Sequence, residues 1–235
     1  MNPWIMAGPA ALAGAWFGSA ALTHAVVTRG NRGVVHRGRH PSAVALTFDD
    51  GPNPPHTQRI CDILEAHGAK GTFFVLGRQV DRYPDTLGAT VERGHEVQLH
   101  GHNHLHAWFT PPGLHQADLR RGLEAIERAS GTRPLYVRPP WGMCSATGLW
   151  VYRKLGLRPV RWSICPEGFW VKPSVQAMAE HILGRVGGGD IVCLHDAGGF
   201  DDTPERVAQC LELVLPVLAE RGLEATTLSR CVEGV

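Results

Sequence analysis

A chain of 235 residues can bury a full core yet is too short for two ordinary enzyme domains, and 43% hydrophobic against 19% charged residues excludes a largely disordered protein. Twenty-three Lys and Arg against 22 Asp and Glu leave a formal charge of +1, so no basic excess points to nucleic acid.

From Pro3 to Thr28 the chain carries no Asp, Glu, Lys or Arg, and Ala10 to Val27 approaches the length of a bilayer crossing if helical. No basic start precedes it, as a cleaved signal would have. Residues 1–28 are therefore read as an apolar membrane-anchoring helix, 29–41 as a basic linker, and 42–235 as the folded domain. Arg29, Arg32, Arg37 and Arg39 would hold the linker side in the cytoplasm by the positive-inside tendency. The expected location is the cell membrane, with the face occupied by the domain left open, and the expected state is a monomer.

After the linker, short β-rich runs alternate with helical patterns, the signature of β-α units around a parallel sheet. Seven strands are predicted, at about Ala43 to Phe48, Gly71 to Val75, His95 to Leu99, Leu135 to Arg138, Arg158 to Trp162, Asp190 to Leu194, and Leu223 to Thr227. Ile60, Ile63 and Leu64 recur at helical spacing before Gly68, and Leu119, Leu123 and Ile126 do so before Gly131. A last helix starts at Thr203 as cap with Pro204 in its first turn, and Pro216 should kink or shorten it. The six cysteines form no Cys-x-x-Cys pair and no zinc-finger spacing, and Cys193 reads as a small buried hydrophobe.

In parallel α/β folds the working residues sit at the carboxyl ends of strands. Asp49 and Asp50 close the first strand, His100 and His104 follow the third, Arg138 ends the fourth, and His195 with Asp196 follows the sixth. Adjacent carboxylates at a strand end repel unless a cation or hydrogen-bond donors meet them. One of the two calls for a metal. His100 and His104, four apart, complete a two-histidine, one-carboxylate set; His102 and His106 share the spacing but lie farther along the loop.

These residues resemble a known family. Thr47-Phe48-Asp49-Asp50-Gly51-Pro52 looks like the first motif of the polysaccharide deacetylases, the NodB-homology or carbohydrate esterase family 4 proteins. Gly94-His95-Glu96 leading to His100 and His104 resembles the second motif, Arg138-Pro139-Pro140-Trp141-Gly142 the third, and Ile191 to Asp196 the fifth. The resemblance covers about residues 41 to 228 and implies an α/β fold of the distorted (β/α)7 barrel, TIM-barrel-like type. It implies hydrolysis of the N-acetyl amide of an amino sugar in a glycan such as peptidoglycan or a chitin-like chain. A divalent metal, usually zinc, would be held by Asp50, His100 and His104. Asp49 would be the general base, Arg138 would keep it ionised, the Trp141 backbone N–H would stabilise the oxyanion, and His195 would protonate the leaving amine. Leu194, with Trp141 and Trp170, would contact substrate.

Two departures stand out. Gly101 replaces the Ser or Thr usual after the first histidine of the second motif. The fourth motif normally reads Asp-x-x-Asp-Trp, its Asp orienting the acid histidine, whereas Cys165 stands at the first Asp position and no Asp occurs between Trp162 and Trp170, leaving Glu167 as the substitute. Aromatics at Trp108, Phe109, Trp141, Phe169 and Trp170 are candidates to pack on sugar or lipid. The rival readings are a deacetylase of a lipid-linked or small amino-sugar precursor, a catalytically weakened glycan-binding member, and a non-haem iron oxygenase, the last disfavoured because it has no need of an acid–base pair.

Overall fold

A computed structural model describes residues 3–30, 33–167 and 172–234. Its strands are β1 (Ala43–Asp49), β2 (Thr72–Val75), β3 (Glu96–Leu99), β4 (Tyr136–Val137), β5 (Arg158–Pro159), β6 (Ile191–His195) and β7 (Glu224–Thr226). The helices are α1 (Pro3–Gly30), α2 (His56–Ala66), α3 (Gly77–Arg82), α4 (Pro84–Glu92), α5 (Pro112–Ser130), α6 (Ala146–Lys154), α7 (Val175–Leu183), α8 (Thr203–Glu220) and α9 (Leu228–Glu233). All seven predicted strands are present, β4 and β5 shorter than expected.

The strands pair in parallel in the order β5-β4-β3-β2-β1-β6, with β7 joined to the amino end of β1. Parallel strands need helical crossovers, which is why the sequence alternates as it does. The sheet is curled into a half-barrel, and the turn after β5 reaches across to β6 through a bridge between Ile164 and Val192.

Side-chain alternation sorts β1 into two layers. Val44, Leu46 and Phe48 face the helices and join the larger core with Val192, Leu194, Ile60 and Leu211. Ala43 and Ala45 face inward with Phe74, Tyr136, Val160 and Ile191, and α9 plugs this interior with Leu228 and Cys231. Thr47 and Asp49 continue the inward row to the carboxyl end, where the packed interior gives way to the site.

Residues 33–41, read from the sequence as linker, are hydrogen-bonded to the folded domain. Val35 bridges Val160 and Arg37 bridges Asp190, while the backbone N–H groups of Arg39 and His40 donate to the Cys231 carbonyl. Helix α8 starts with Asp202, not Thr203, at its cap and runs through Pro216. The N–H that proline lacks would have met the carbonyl of Glu212, and both residues lie on the exposed face, where water takes the orphaned acceptor.

The segment 3–30 is helical, yet no helix among the described residues is long and apolar enough to cross a membrane. Gly14, Gly18, Ser19, Thr23 and His24 dilute the charge-free run. The helix lies against the domain: the Trp16 indole N–H donates to the Trp108 carbonyl at 2.6 Å, and Arg161 donates to the Thr28 hydroxyl at 3.0 Å.

Candidate active site

Register brings the first pair of groups together. Asp49 and His195 are Cα partners across β1 and β6, so two inward-facing strand ends meet at one point. Asp49 is buried, and Arg138 at the end of β4 reaches it with a guanidinium that has no exposed surface. One arm of Arg138 donates to Asp49 Oδ1 at 2.6 Å and to Thr47 Oγ1 at 2.8 Å, the other donates to the Arg161 carbonyl at 3.2 Å, and the guanidinium lies 4.1 Å from the centre of the Phe74 ring. Burial by itself would raise the Asp49 pKa; the Arg138 charge reverses this and leaves the carboxyl below its ordinary range.

Asp50, His100 and His104 converge on the other side. His100 Nε2 and His104 Nε2 lie 3.5 and 3.4 Å from Asp50 Oδ1. His100 Nδ1 must donate to the Arg138 carbonyl at 2.7 Å, since a carbonyl only accepts, and this leaves Nε2 with its lone pair free. Burial lowers the His104 pKa to about 3, keeping that ring neutral as a ligand must be. Asp50 Oδ1 is buried without a hydrogen-bond partner. Two imidazole nitrogens around an unsatisfied carboxylate oxygen fit a divalent cation.

Backbone strain concentrates here. The described non-glycine residues with positive φ are Asp50 at 76°, His104 at 59° and Trp141 at 54°, each costing about 1–3 kcal/mol that the surrounding fold must offset. Two glycines make the Asp50 turn possible. A Cβ at Gly51 would lie 2.1 Å from Asp196 Oδ2, and one at Gly198 would lie 2.6 Å from Asp50 Oδ2. Asp196 accepts from the Gly51 N–H at 3.1 Å and the Thr57 hydroxyl at 2.5 Å, so the residue after His195 braces the turn that carries Asp50. Gly101 is likewise left-handed, at φ 87°. The histidine loop gains its support from α5, whose buried Asp118 accepts from the N–H groups of His102 and Asn103 at 2.9 and 3.1 Å. The His102 ring lies against Gly77, and His106 packs among Trp108, Phe109 and Trp141.

On the His195 side the substitute named from the sequence is in place. Glu167, not Cys165, holds His195: its carboxylate accepts from Nδ1 at 2.6 Å and from the backbone N–H at 3.0 Å. Burial opposes charge on His195, but the carboxylates of Glu167 first, then Asp49 and Asp50, together outweigh it and raise the pKa to about 10. Cys165 instead points its thiol at the Glu167 carbonyl, 3.8 Å away. Leu194 is corrected. It is fully buried toward the helices, because His195 faces inward and adjacent strand residues face opposite ways; Cys193 takes the inward position, its sulfur 3.6 Å from Asp49 Oδ2. Trp170 and Phe169 lie outside the described residues.

Asp49, Asp50, His100, His104, Glu167 and His195 open into one cavity of about 330 Å³, with Trp141, Trp162 and Phe200 among its walls. Trp162 and Phe200 were not singled out from sequence; the Trp162 signal, an aromatic next to a short strand end, is too common to select. Trp141 lies in a 3₁₀ turn over residues Pro140–Gly142, its ring 4.1 Å from that of His104. Trp108 and Phe109 lie beside this cavity, not in its wall.

The polysaccharide deacetylase family pattern matches residues 36–160, more than half of the chain. The chain belongs to the polysaccharide deacetylase family. It is 33% identical over 187 residues to the peptidoglycan-N-acetylglucosamine deacetylase of Bacillus cereus, covering 79% of this chain and 86% of that protein. It is 33% identical over 193 residues to the chitooligosaccharide deacetylase of a Bradyrhizobium species, covering 77% and 87%. The solved structure of peptidoglycan deacetylase PdaC from Bacillus subtilis superposes with a TM-score of 0.73 at 28% identity, covering 81% of this chain and 90% of that one. Family membership and geometry bear on the same strand ends, since the matched span contains Asp49, Asp50, His100, His104 and Arg138.

Proposed function

We propose that this chain is a metal-dependent N-deacetylase that hydrolyses the acetamide of an amino sugar in a glycan of the peptidoglycan or chitin class. The carrying observation is the convergence, in one cavity, of an Asp50–His100–His104 ligand set with an ionised Asp49 on one side and a Glu167-held His195 on the other. The relatives' printed activities support the same reading. The bridge between Ile164 and Val192 supports describing the half-barrel as a distorted (β/α)7 barrel.

Two nitrogen donors and one carboxylate with positions left open suit zinc. When bound, such a cation polarises the acetamide carbonyl and acidifies a water. Asp49, kept ionised by Arg138, takes the proton of the attacking water. The left-handed turn at Trp141 offers its backbone N–H to the developing oxyanion. His195, protonated on the ring edge opposite Glu167, delivers a proton to the amine, a group that cannot leave as an anion. Cys193 and Trp162 bound the space where the acetyl group would sit.

The test joins metal analysis to acetate release from N-acetylglucosamine oligomers. The native chain is expected to hold one divalent ion and release acetate, with chelation abolishing release, and the His100→Ala, His104→Ala double variant to retain no metal. Full occupancy in that variant would overturn the ligand set. A loaded site with no turnover on any amino sugar would favour glycan binding alone.

A second substrate reading, a lipid-linked amino sugar, is favoured by one observation. An aromatic path runs from Phe17 of α1 through Phe109, His106 and Trp141 to His104, with successive ring centres 4.1–5.4 Å apart, and Phe17, Phe109 and Trp141 are exposed. Exposed Leu22 and Val26, on the side of α1 turned away from the domain, support association of segment 3–28 with the cell membrane. Full-length protein is expected to sediment with anionic lipid vesicles and a chain starting near Arg29 to remain in the supernatant. Equal partitioning of the two would refute the association.

A further inference from the structure

Cys165 has no part in the mechanism above and Cys193 only bounds the acetyl space, yet both line the cavity beneath His195. Their juxtaposition follows from the strand register. Ile164 pairs with Val192 in a parallel bridge, and the Cys193 N–H donates to the Ile164 carbonyl at 2.9 Å. The next residues in register are the two cysteines. Neighbouring strands run about 4.8 Å apart, inside the roughly 4.4–6.8 Å window of Cα separations that a disulfide tolerates. In the reduced state the Cys165 thiol faces the Glu167 carbonyl at 3.8 Å and the Cys193 thiol faces Asp49 Oδ2 at 3.6 Å. The Cys193 proton has Asp49 Oδ2 in reach.

We propose that Cys165 and Cys193 form a thiol-modification site, in which a low-molecular-weight disulfide oxidises the pair to an intramolecular disulfide and slows the deacetylase. Cys165 is partly exposed and Cys193 is buried, which sets the order of attack. The Cys165 thiolate attacks one sulfur of the small disulfide and expels one thiolate, giving a mixed disulfide. The Cys193 thiol loses its proton to solvent and its sulfur displaces the second thiolate. The two cysteines are oxidised by two electrons, and the small disulfide is reduced to two thiols.

The neighbouring Cys193 side chain lowers the Cys165 pKa, favouring the nucleophilic form. Elsewhere burial pushes the thiols of Cys61 and Cys210 up to about 12 and those of Cys144 and Cys231 up to about 11, so they remain inert. Oxidation removes the S–H that faces Asp49 and pulls on the backbone two residues before Glu167, the group that holds His195. Both effects fall on the acid–base pair.

The experiment treats metal-loaded full-length protein with oxidised glutathione, alkylates the remaining thiols, and maps the digest by mass spectrometry. The expected product is a crosslinked peptide pair containing Cys165 and Cys193, with the other four cysteines alkylated. Turnover should fall roughly tenfold to a hundredfold, the worth of one charge-assisted hydrogen bond, and return on reduction. Cys165→Ser should give no crosslink and no oxidative loss, and Cys61→Ser should leave the response intact. A lasting glutathione adduct on Cys165, or free thiols at both positions, would overturn the site. A crosslink with unchanged turnover would overturn its control of catalysis. Only the activity arm rests on the deacetylase reading; the crosslink is read by mass in any case.

Discussion

Replacing Arg138 with Ala is expected to lower the unfolding free energy by about 3–5 kcal/mol, the usual cost of leaving one member of a buried ion pair alone. Asp49 would then be buried at a strand end with its closest counter-charge gone and the Arg161 carbonyl deprived of a donor. The pH dependence has a definite sign. In the native chain the Asp49 pKa is depressed, so its contribution to stability is present above the unfolded carboxylate value near 4 and is lost as pH falls below it. Without Arg138 burial dominates, the folded pKa rises above the unfolded value, and the stability deficit becomes largest at neutral pH. Denaturant unfolding of metal-free protein at pH 7 and near pH 4 should show the gap between variant and native chain narrowing in acid. Asp49→Asn added to Arg138→Met should recover part of the stability, because no isolated charge remains, while acetate release stays abolished. A loss under about 1 kcal/mol at pH 7, the level of an exposed pair, would show that water reaches the pair and that Arg138 does not set the ionisation of Asp49.

Much of this arrangement is legible in the sequence. The seven strand runs are short, β-rich and bounded by glycine or proline, and the groups at their carboxyl ends converge because parallel strands all end on one face. Leu194 shows where the reading slipped: two-residue alternation, applied from His195, turns Leu194 outward and Cys193 inward. Glu167 is harder. Motif alignment points at Cys165, but the path of the chain after β5 is set by the Ile164–Val192 bridge, a long-range pairing with no local signal. Asp118 is invisible for the same reason. Its carboxylate braces the histidine loop from 15 residues away on α5, and nothing in the spacing marks that helix as the support. Helix α1 was legible as a charge-free helix, while its docking on Trp108 depends on tertiary contacts.

His195→Ala is expected to reduce kcat by roughly 10²- to 10⁴-fold, the range for a positioned acid or base. The loss should shrink on an activated aryl acetate, whose leaving group needs no proton, and that contrast separates proton delivery from a general disturbance of the site. Glu167→Gln tests how the acid is held. Burial works against the imidazolium, and the Glu167 carboxylate is the first of the groups that overcome it, bringing the pKa to about 10. Because the acid must be protonated to act, activity falls as pH rises through that pKa. Removing the Glu167 charge should therefore move the alkaline limb of the pH–rate profile to lower pH. A charge-assisted hydrogen bond of about 1.5–3 kcal/mol corresponds to a shift of roughly 1–2 units. A cation held by Asp50, His100 and His104 depresses both limbs alike and leaves the direction of the difference unchanged. Cys165→Ala, which removes no partner of His195, should leave the limb in place. The opposite pattern, a displaced limb in Cys165→Ala and none in Glu167→Gln, would return the orienting role to Cys165.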